Sequence, residues 1–263
     1  MGCSKCGRPG VIFQGYSGLH LCMQHFKEDF LHKAKKTVRQ HHWLVPEAQI
    51  AVALSGGPAS CALLDFMRTI VGERKDIRLV AVTMKNNRPY ALENAKKIVD
   101  ASGIPWYIFP KNSETIPQGE RPGPTLRSPF PAHASIESQL ILMAGALKID
   151  TLALGYTLET HAEWVIRNAI LGDSVRKSGC TPNVRPPVQV IRPFMHIPVK
   201  ETGLYTQLFL NGQDERVETE GKDHPGDPVS LLLAQLYSRH PAIPYALVNI
   251  GEQVKKFRGR GLS

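Results

Sequence analysis

No apolar run in the 263-residue chain reaches the length of a membrane-spanning helix, so no membrane partner is expected. The opening residues, MGCSKCGRPG, lack the apolar core of a secretory signal, and a cytoplasmic protein is expected. Cysteine is sparse. Five residues, unevenly placed, are too few for a disulfide scaffold. No internal repeat is visible. Acidic residues are outnumbered, 23 Asp and Glu against 32 Lys and Arg, which leaves a net charge of +9. That balance favours an anionic partner, with nucleic acid the leading candidate.

What is present is enough for one α/β core and a small appendage, with 42% hydrophobic residues. The most informative stretch is Ile50–Asp65, IAVALSGGPASCALLD. Ile50–Leu54 is an apolar run of strand length, Ser55-Gly56-Gly57 is a turn, and Pro58 onward has the apolar face of a helix. A strand, a Gly-rich turn and a helix N-terminus together can cradle a phosphate with backbone N–H groups and the helix dipole. Ser55 and Ser60 add hydroxyls. The same pattern also serves as a plain tight connection.

The segments beyond it alternate. Strands are read at Arg78–Thr83, Trp106–Phe109 and Thr151–Leu154, and helices at Ala59–Val71, Tyr90–Ala101, Ile136–Leu147 and Leu158–Leu171. This predicts a doubly wound parallel sheet whose ligands bind at the carboxyl ends of strands. The Ser55–Ser60 turn, Thr83–Asn87 and Gly155–Glu159 lie at such ends. The Pro-rich connection from Pro110 to Ala134 reads as a lid or binding loop, with Arg121 and Arg127 as phosphate contacts. Pro198–Asn211 reads as a helix, Gln213–Pro228 as an exposed polar linker, and Val229–Arg239 and Tyr245–Phe257 as two C-terminal helices.

Three of the five cysteines crowd the N-terminus. Cys3-x-x-Cys6 and Cys22-x-x-His25 supply three thiolates and an imidazole, a closed tetrahedral zinc set with a structural role. So short a segment needs the metal for its folding energy. The next segment, Phe26–His42, has apolar residues at helical spacing. Its other sides carry Lys27, Lys33, Lys35, Lys36 and Arg39, a footprint suited to an RNA backbone or simply a solvated helix face.

Taken together, these motifs resemble the archaeal and eukaryotic tRNA 2-thiolation enzymes, pyrophosphate-loop ATPases with an adenine nucleotide α-hydrolase-like fold. Ser55-Gly56-Gly57-Pro58-Ala59-Ser60 resembles their Ser-Gly-Gly-x-Asp-Ser loop. Gly155-Tyr156-Thr157-Leu158-Glu159-Thr160-His161-Ala162-Glu163 with Gly172-Asp173 resembles their acidic segment. Arg192-Pro193, Lys200-Glu201 and Leu233–Phe257 match further stretches, so the likeness runs nearly the full chain. On this reading residues 1–26 are a zinc knuckle, 27–48 a basic linker helix, 49–211 the pyrophosphate-loop domain, and 212–263 a polar linker with the C-terminal helical segment.

The resemblance implies nucleotide binding by Ser55, Gly56, Gly57, Ser60, Gly155 and Glu159, and tRNA binding by the basic helix. It also implies adenylation of the base before sulfur transfer. Several family positions differ here. The loop aspartate is Ala59, and the acidic pair is Glu159 and Thr160. The Cys-x-x-Cys expected near Ser128–Ala132 is missing, as is a second zinc module around Gln213–Pro228; Cys180 alone stands for the third cysteine. Structural zinc is therefore expected, ATP with magnesium only weakly, and an iron–sulfur cluster not at all. Three functions follow: a non-catalytic tRNA-binding member, an active ATP-dependent sulfurtransferase using Cys180, or a nucleotide-binding regulatory module without tRNA. The expected partners are tRNA, a catalytic paralogue or sulfur-carrier protein, and a second copy of the chain.

Overall fold

The structure, a computed structural model, describes residues 1–72, 74–85, 89–110, 136–171, 188–210 and 228–260. It opens with a small antiparallel hairpin, β1 (Ile12–Gln14) and β2 (Leu19–Leu21), which leads into helix α1 (Met23–Gln40). Neither hairpin strand was legible in the sequence, since three residues carry too short a pattern.

The main sheet has five parallel strands in the order β5-β4-β3-β6-β7. These are β3 (Gln49–Ala53), β4 (Arg78–Lys85), β5 (Trp106–Pro110), β6 (Thr151–Ala153) and β7 (Gln189–Ile191). The predicted doubly wound sheet is present. The added edge strand β7 lies within VQVIRPF, where no strand was assigned. The first strand, β3, pairs with β4 on one side and β6 on the other, so the strand order reverses beside it. That reversal opens the crevice in which such folds bind ligands.

Alternate residues of each strand feed different layers. Ile50, Val52 and Leu54 join one core, while Ala51 joins the other with its register partner Val80. The first core is covered by α1, α2 (Pro58–Val71), α3 (Pro89–Ser102) and α6 (Val199–Phe209). Aromatic rings lock this layer together: Phe30 of α1 stacks on Tyr205 of α6 at 4.3 Å and meets Phe194 edge-on at 5.1 Å. The second core takes Leu140, Ile141, Met143 and Ala144 of α4 (Ile136–Ala146). Helix α5 (Leu158–Leu171) packs with α7 (Pro228–Arg239) and α8 (Ile243–Arg260), where Leu158, Ala162 and Val248 are buried together. No helix among the described residues is long and apolar enough to cross a membrane.

Candidate functional site

The glycine-rich turn follows β3 at the strand-order reversal. Gly56 has φ +84°, the left-handed region that favours glycine, and a Cβ there would lie 1.7 Å from the Ala91 carbonyl oxygen. The first turn of α3 thus rests directly on the loop. Gly155, at the end of β6, faces the first turn of α2: a Cβ would lie 3.1 Å from the Ala59 carbonyl carbon and 3.2 Å from the Ser60 nitrogen. The fold therefore brings the loop and Gly155 together, as the sequence led one to expect.

The loop's hydroxyls are turned inward. Ser60, only 5% exposed, donates to the Gly57 carbonyl at 2.9 Å. Its oxygen also accepts from the Ser55 N–H at 3.2 Å and the Ser55 hydroxyl at 3.0 Å. Pro58 occupies the first helical turn, where its lack of an N–H removes one donor from the helix end. Ala59 is buried. The Thr206 hydroxyl of α6 binds the Pro58 carbonyl at 2.8 Å, tying a second helix to this turn.

Glu159 sits in the first turn of α5 and caps another helix. Its carboxylate accepts the Val199 N–H at 2.8 Å, at the start of α6. Burial pushes its carboxyl above the ordinary range against the effect of that N–H. Thr157 and Thr160 share a hydroxyl contact at 3.2 Å.

A second cluster lines the carboxyl edge near β6 and β7. Arg192 donates to Glu137 at 2.5 Å, and the Tyr156 hydroxyl donates to the other Glu137 oxygen at 2.9 Å. The guanidinium lies 5.1 Å from the Tyr156 ring centre and 4.8 Å from that of Trp164. Glu137 and Trp164 had no sequence signal; 55 residues separate Glu137 from Arg192.

At the N-terminus, Cys3, Cys6, Cys22 and His25 converge, with their ligand atoms all within 4.8 Å of one another. The Cys6 and Cys22 sulfurs are 3.7 Å apart, and His25 Nδ1 lies 3.4 Å from Cys3 and 3.5 Å from Cys22. A tetrahedral zinc with bonds of about 2.3 Å to sulfur and about 2.0 Å to nitrogen needs edges of about 3.8 and about 3.5 Å. The donors fit the ion in kind and in spacing. Electrostatics agree. Burial opposes ionisation of Cys3, but backbone N–H groups of Cys22, Lys5 and Cys6 and the His25 ring outweigh it and bring the thiol down to about 5. At Cys6 the Arg8 N–H favours the thiolate, while burial and the Cys22 and Cys3 sulfurs push it up. A cation bound among these sulfurs would relieve their mutual repulsion.

The family described as 2-thiouridine synthetase TtuA, N-terminal LIM domain, matches residues 3–27. The tRNA-5-methyluridine(54) 2-sulfurtransferase of Pyrococcus horikoshii is 26% identical over 172 residues, covering 65% of this chain and 54% of that protein. The tRNA 2-thiolation protein NcsA of Haloferax volcanii is 24% identical over an alignment of 291 residues, covering 99% and 90%. The fold is shared with the U34-tRNA thiolase NcsA from Methanococcus maripaludis, at a TM-score of 0.69 and 24% identity, over 97% of this chain and 88% of that one. The chain resembles the tRNA 2-thiolation proteins over nearly its whole length.

One expectation is overturned. The sequence reading excluded an iron–sulfur cluster, yet the thiolase NcsA with the same fold is described with its 4Fe-4S cluster. The exclusion counted the thiolates of one chain, and cluster irons also accept ligands other than cysteine. The N-terminal donors can themselves hold a metal.

Lys27, Lys36 and Arg39 are exposed on α1, and Lys35 is half-buried. Lys27 lies over the Phe209 ring at 4.7 Å. Lys33 points into the protein, bonded to Glu201 at 3.0 Å and to Asp29 at 2.5 Å, with the Tyr16 hydroxyl a third partner. Cys61 is buried in the first core. Cys180, Gly172-Asp173, Asn86-Asn87, the Arg121 and Arg127 loop and the polar linker lie outside the described residues.

Proposed function

We propose that the chain binds tRNA and serves tRNA 2-thiolation in the cytoplasm as a non-catalytic partner. Its pyrophosphate loop then acts as structure, not as an ATP site. The observation that carries this reading is the Ser60 hydroxyl, whose hydrogen bonds all run back into the loop. Glu159 is likewise committed to the start of α6, and Ala59 supplies no carboxylate. Each missing charge-assisted contact is worth about 1.5–3 kcal/mol. Losing two weakens ATP binding by roughly two to four decades. The tRNA role is supported by the names of the relatives, by the net charge of +9, and by His32, Lys36 and Arg39 on one exposed stripe of α1. Zinc in the knuckle is the structural metal on this reading. A catalytic paralogue or a sulfur-carrier protein then supplies the chemistry.

The relatives named as sulfurtransferases favour a second reading, an active ATP-dependent enzyme using Cys180. Calorimetry with ATP and magnesium separates the two. The proposal expects no heat of binding at micromolar nucleotide. A micromolar dissociation constant, with thiolation activity lost in Cys180→Ser, would establish the second.

A further inference from the structure

The metal hairpin carries an aromatic pair on its outer face. Phe13 of β1 and His20 of β2 are register partners, and their rings lie 4.6 Å apart at 32°. Their neighbours Ile12 and Leu21 turn inward against the first core, so the alternation of the strands fixes Phe13 and His20 on the opposite side. Phe13 remains 57% exposed. The pair is firmly held. The Ser4 N–H donates to the His20 carbonyl at 2.7 Å, and the His20 N–H returns a bond to the Ser4 hydroxyl at 3.0 Å. The strand that carries His20 is thereby fixed to the Cys3–Cys6 segment.

The surroundings are mainly cationic. Residues 1–27 contain Lys5, Arg8 and Lys27 and no Asp or Glu; the first carboxylate, Glu28, is joined to Arg8 through Gln24. Lys5 and Arg8 are exposed, and Lys5 follows the serine that clasps His20. A fixed aromatic face beside exposed Lys5 and Arg8, on a chain of net charge +9, suits a polyanion that carries flat, unstacked rings. Base stacking on aromatic side chains is the mode by which proteins hold single-stranded RNA.

We propose that Phe13, backed by His20, stacks an unpaired nucleobase of the bound RNA, while the α1 stripe of Lys36 and Arg39 follows its phosphates. This rests on the tRNA-binding reading above and assigns the hairpin a part in it. Stacking and phosphate contact differ in their response to salt, because only the latter releases counterions.

The test uses the full-length, metal-replete protein and purified tRNA, with affinity measured across a salt series. Phe13→Ala is expected to weaken binding by roughly 5- to 150-fold with an unchanged salt slope, the range of a lost base–aromatic stack. Phe13→Trp is expected to retain wild-type affinity. Lys36→Glu with Arg39→Glu is expected to weaken binding and flatten the slope. Zinc content equal to wild type shows that each variant keeps its hairpin. If wild type binds tRNA and Phe13→Ala binds equally well, the stack is refuted while the tRNA reading stands. If Phe13→Ala leaves tRNA affinity intact but breaks a protein complex, the face is a protein contact and the proposal is refuted. If wild type does not bind tRNA, both fall.

Discussion

Lys33 shows how far a residue's role departs from its type. In a helix rich in lysine it reads as surface charge, yet it neutralises Glu201, which is 2% exposed and lies 168 residues away. Gln14 and Tyr16 complete the same carboxylate at 3.0 and 2.5 Å. Replacing Lys33 by Met leaves that carboxylate buried without a cation. Loss of one partner from a buried pair costs about 3–5 kcal/mol, and the 20% exposure of the Lys33 side chain points to the lower end. Glu201→Gln keeps an acceptor and leaves Lys33 with Asp29, so about 1 kcal/mol is expected. Urea unfolding of the two variants checks the asymmetry; equal losses would contradict it.

Glu159 makes a pH prediction at the same scale. Burial holds its folded carboxyl above the ordinary 4.5, so the folded protein binds this proton more tightly than the unfolded chain. The contribution to stability is full below pH 4.5 and is lost as pH rises through the raised value. Glu159→Gln can still accept the Val199 N–H and does not ionise. The variant should gain on wild type between about pH 4.5 and neutrality, read as urea midpoints. A difference independent of pH would show that the carboxyl titrates normally.

Among the elements, the hairpin and α1 adjoin but are stabilised differently. Helix α1 buries Phe26 and Phe30 completely, each worth about 1.5–3 kcal/mol. The hairpin has strands of three residues, and a metal held by Cys3, Cys6, Cys22 and His25 would supply much of its folding energy beside the burial of Leu21. Chelation of the metal should therefore release the Val11 amide, which binds the Leu21 carbonyl, while the β3 and β4 amides stay protected. Hydrogen exchange measures both. Loss of protection in β3 together with the hairpin would mean that the metal holds the whole fold.

The elements also show why parts of the fold were legible and others hidden. Leu158–Leu171 coincides with its predicted range because apolar spacing alone sets a long helix, and β3 was plain from an unbroken apolar run of the length a buried parallel strand requires. The hairpin and β7 are three residues each, below the length at which alternation can be told from chance. Cysteine and histidine spacing singled out the four donors that converge, since two local pairs needed only to meet. The turn of Ser60 into its own loop was hidden, because a Ser-Gly-Gly pattern sets a backbone path and not the direction of a hydroxyl.

At the scale of the molecule, α6 joins the separate parts. It carries Glu201 to the hairpin, offers its first N–H to Glu159 of α5, and binds the Pro58 carbonyl of the loop through Thr206. One helix thus links the N-terminal hairpin, the glycine-rich loop and the first turn of α5, and on the proposed function this frame presents an RNA-binding surface. The most direct measurement is mass spectrometry of tRNA nucleosides from cells lacking the protein. Loss of a 2-thiolated nucleoside, restored both by the wild-type chain and by Cys180→Ser, is the predicted result. An unchanged set of thiolated nucleosides would contradict a role in tRNA 2-thiolation.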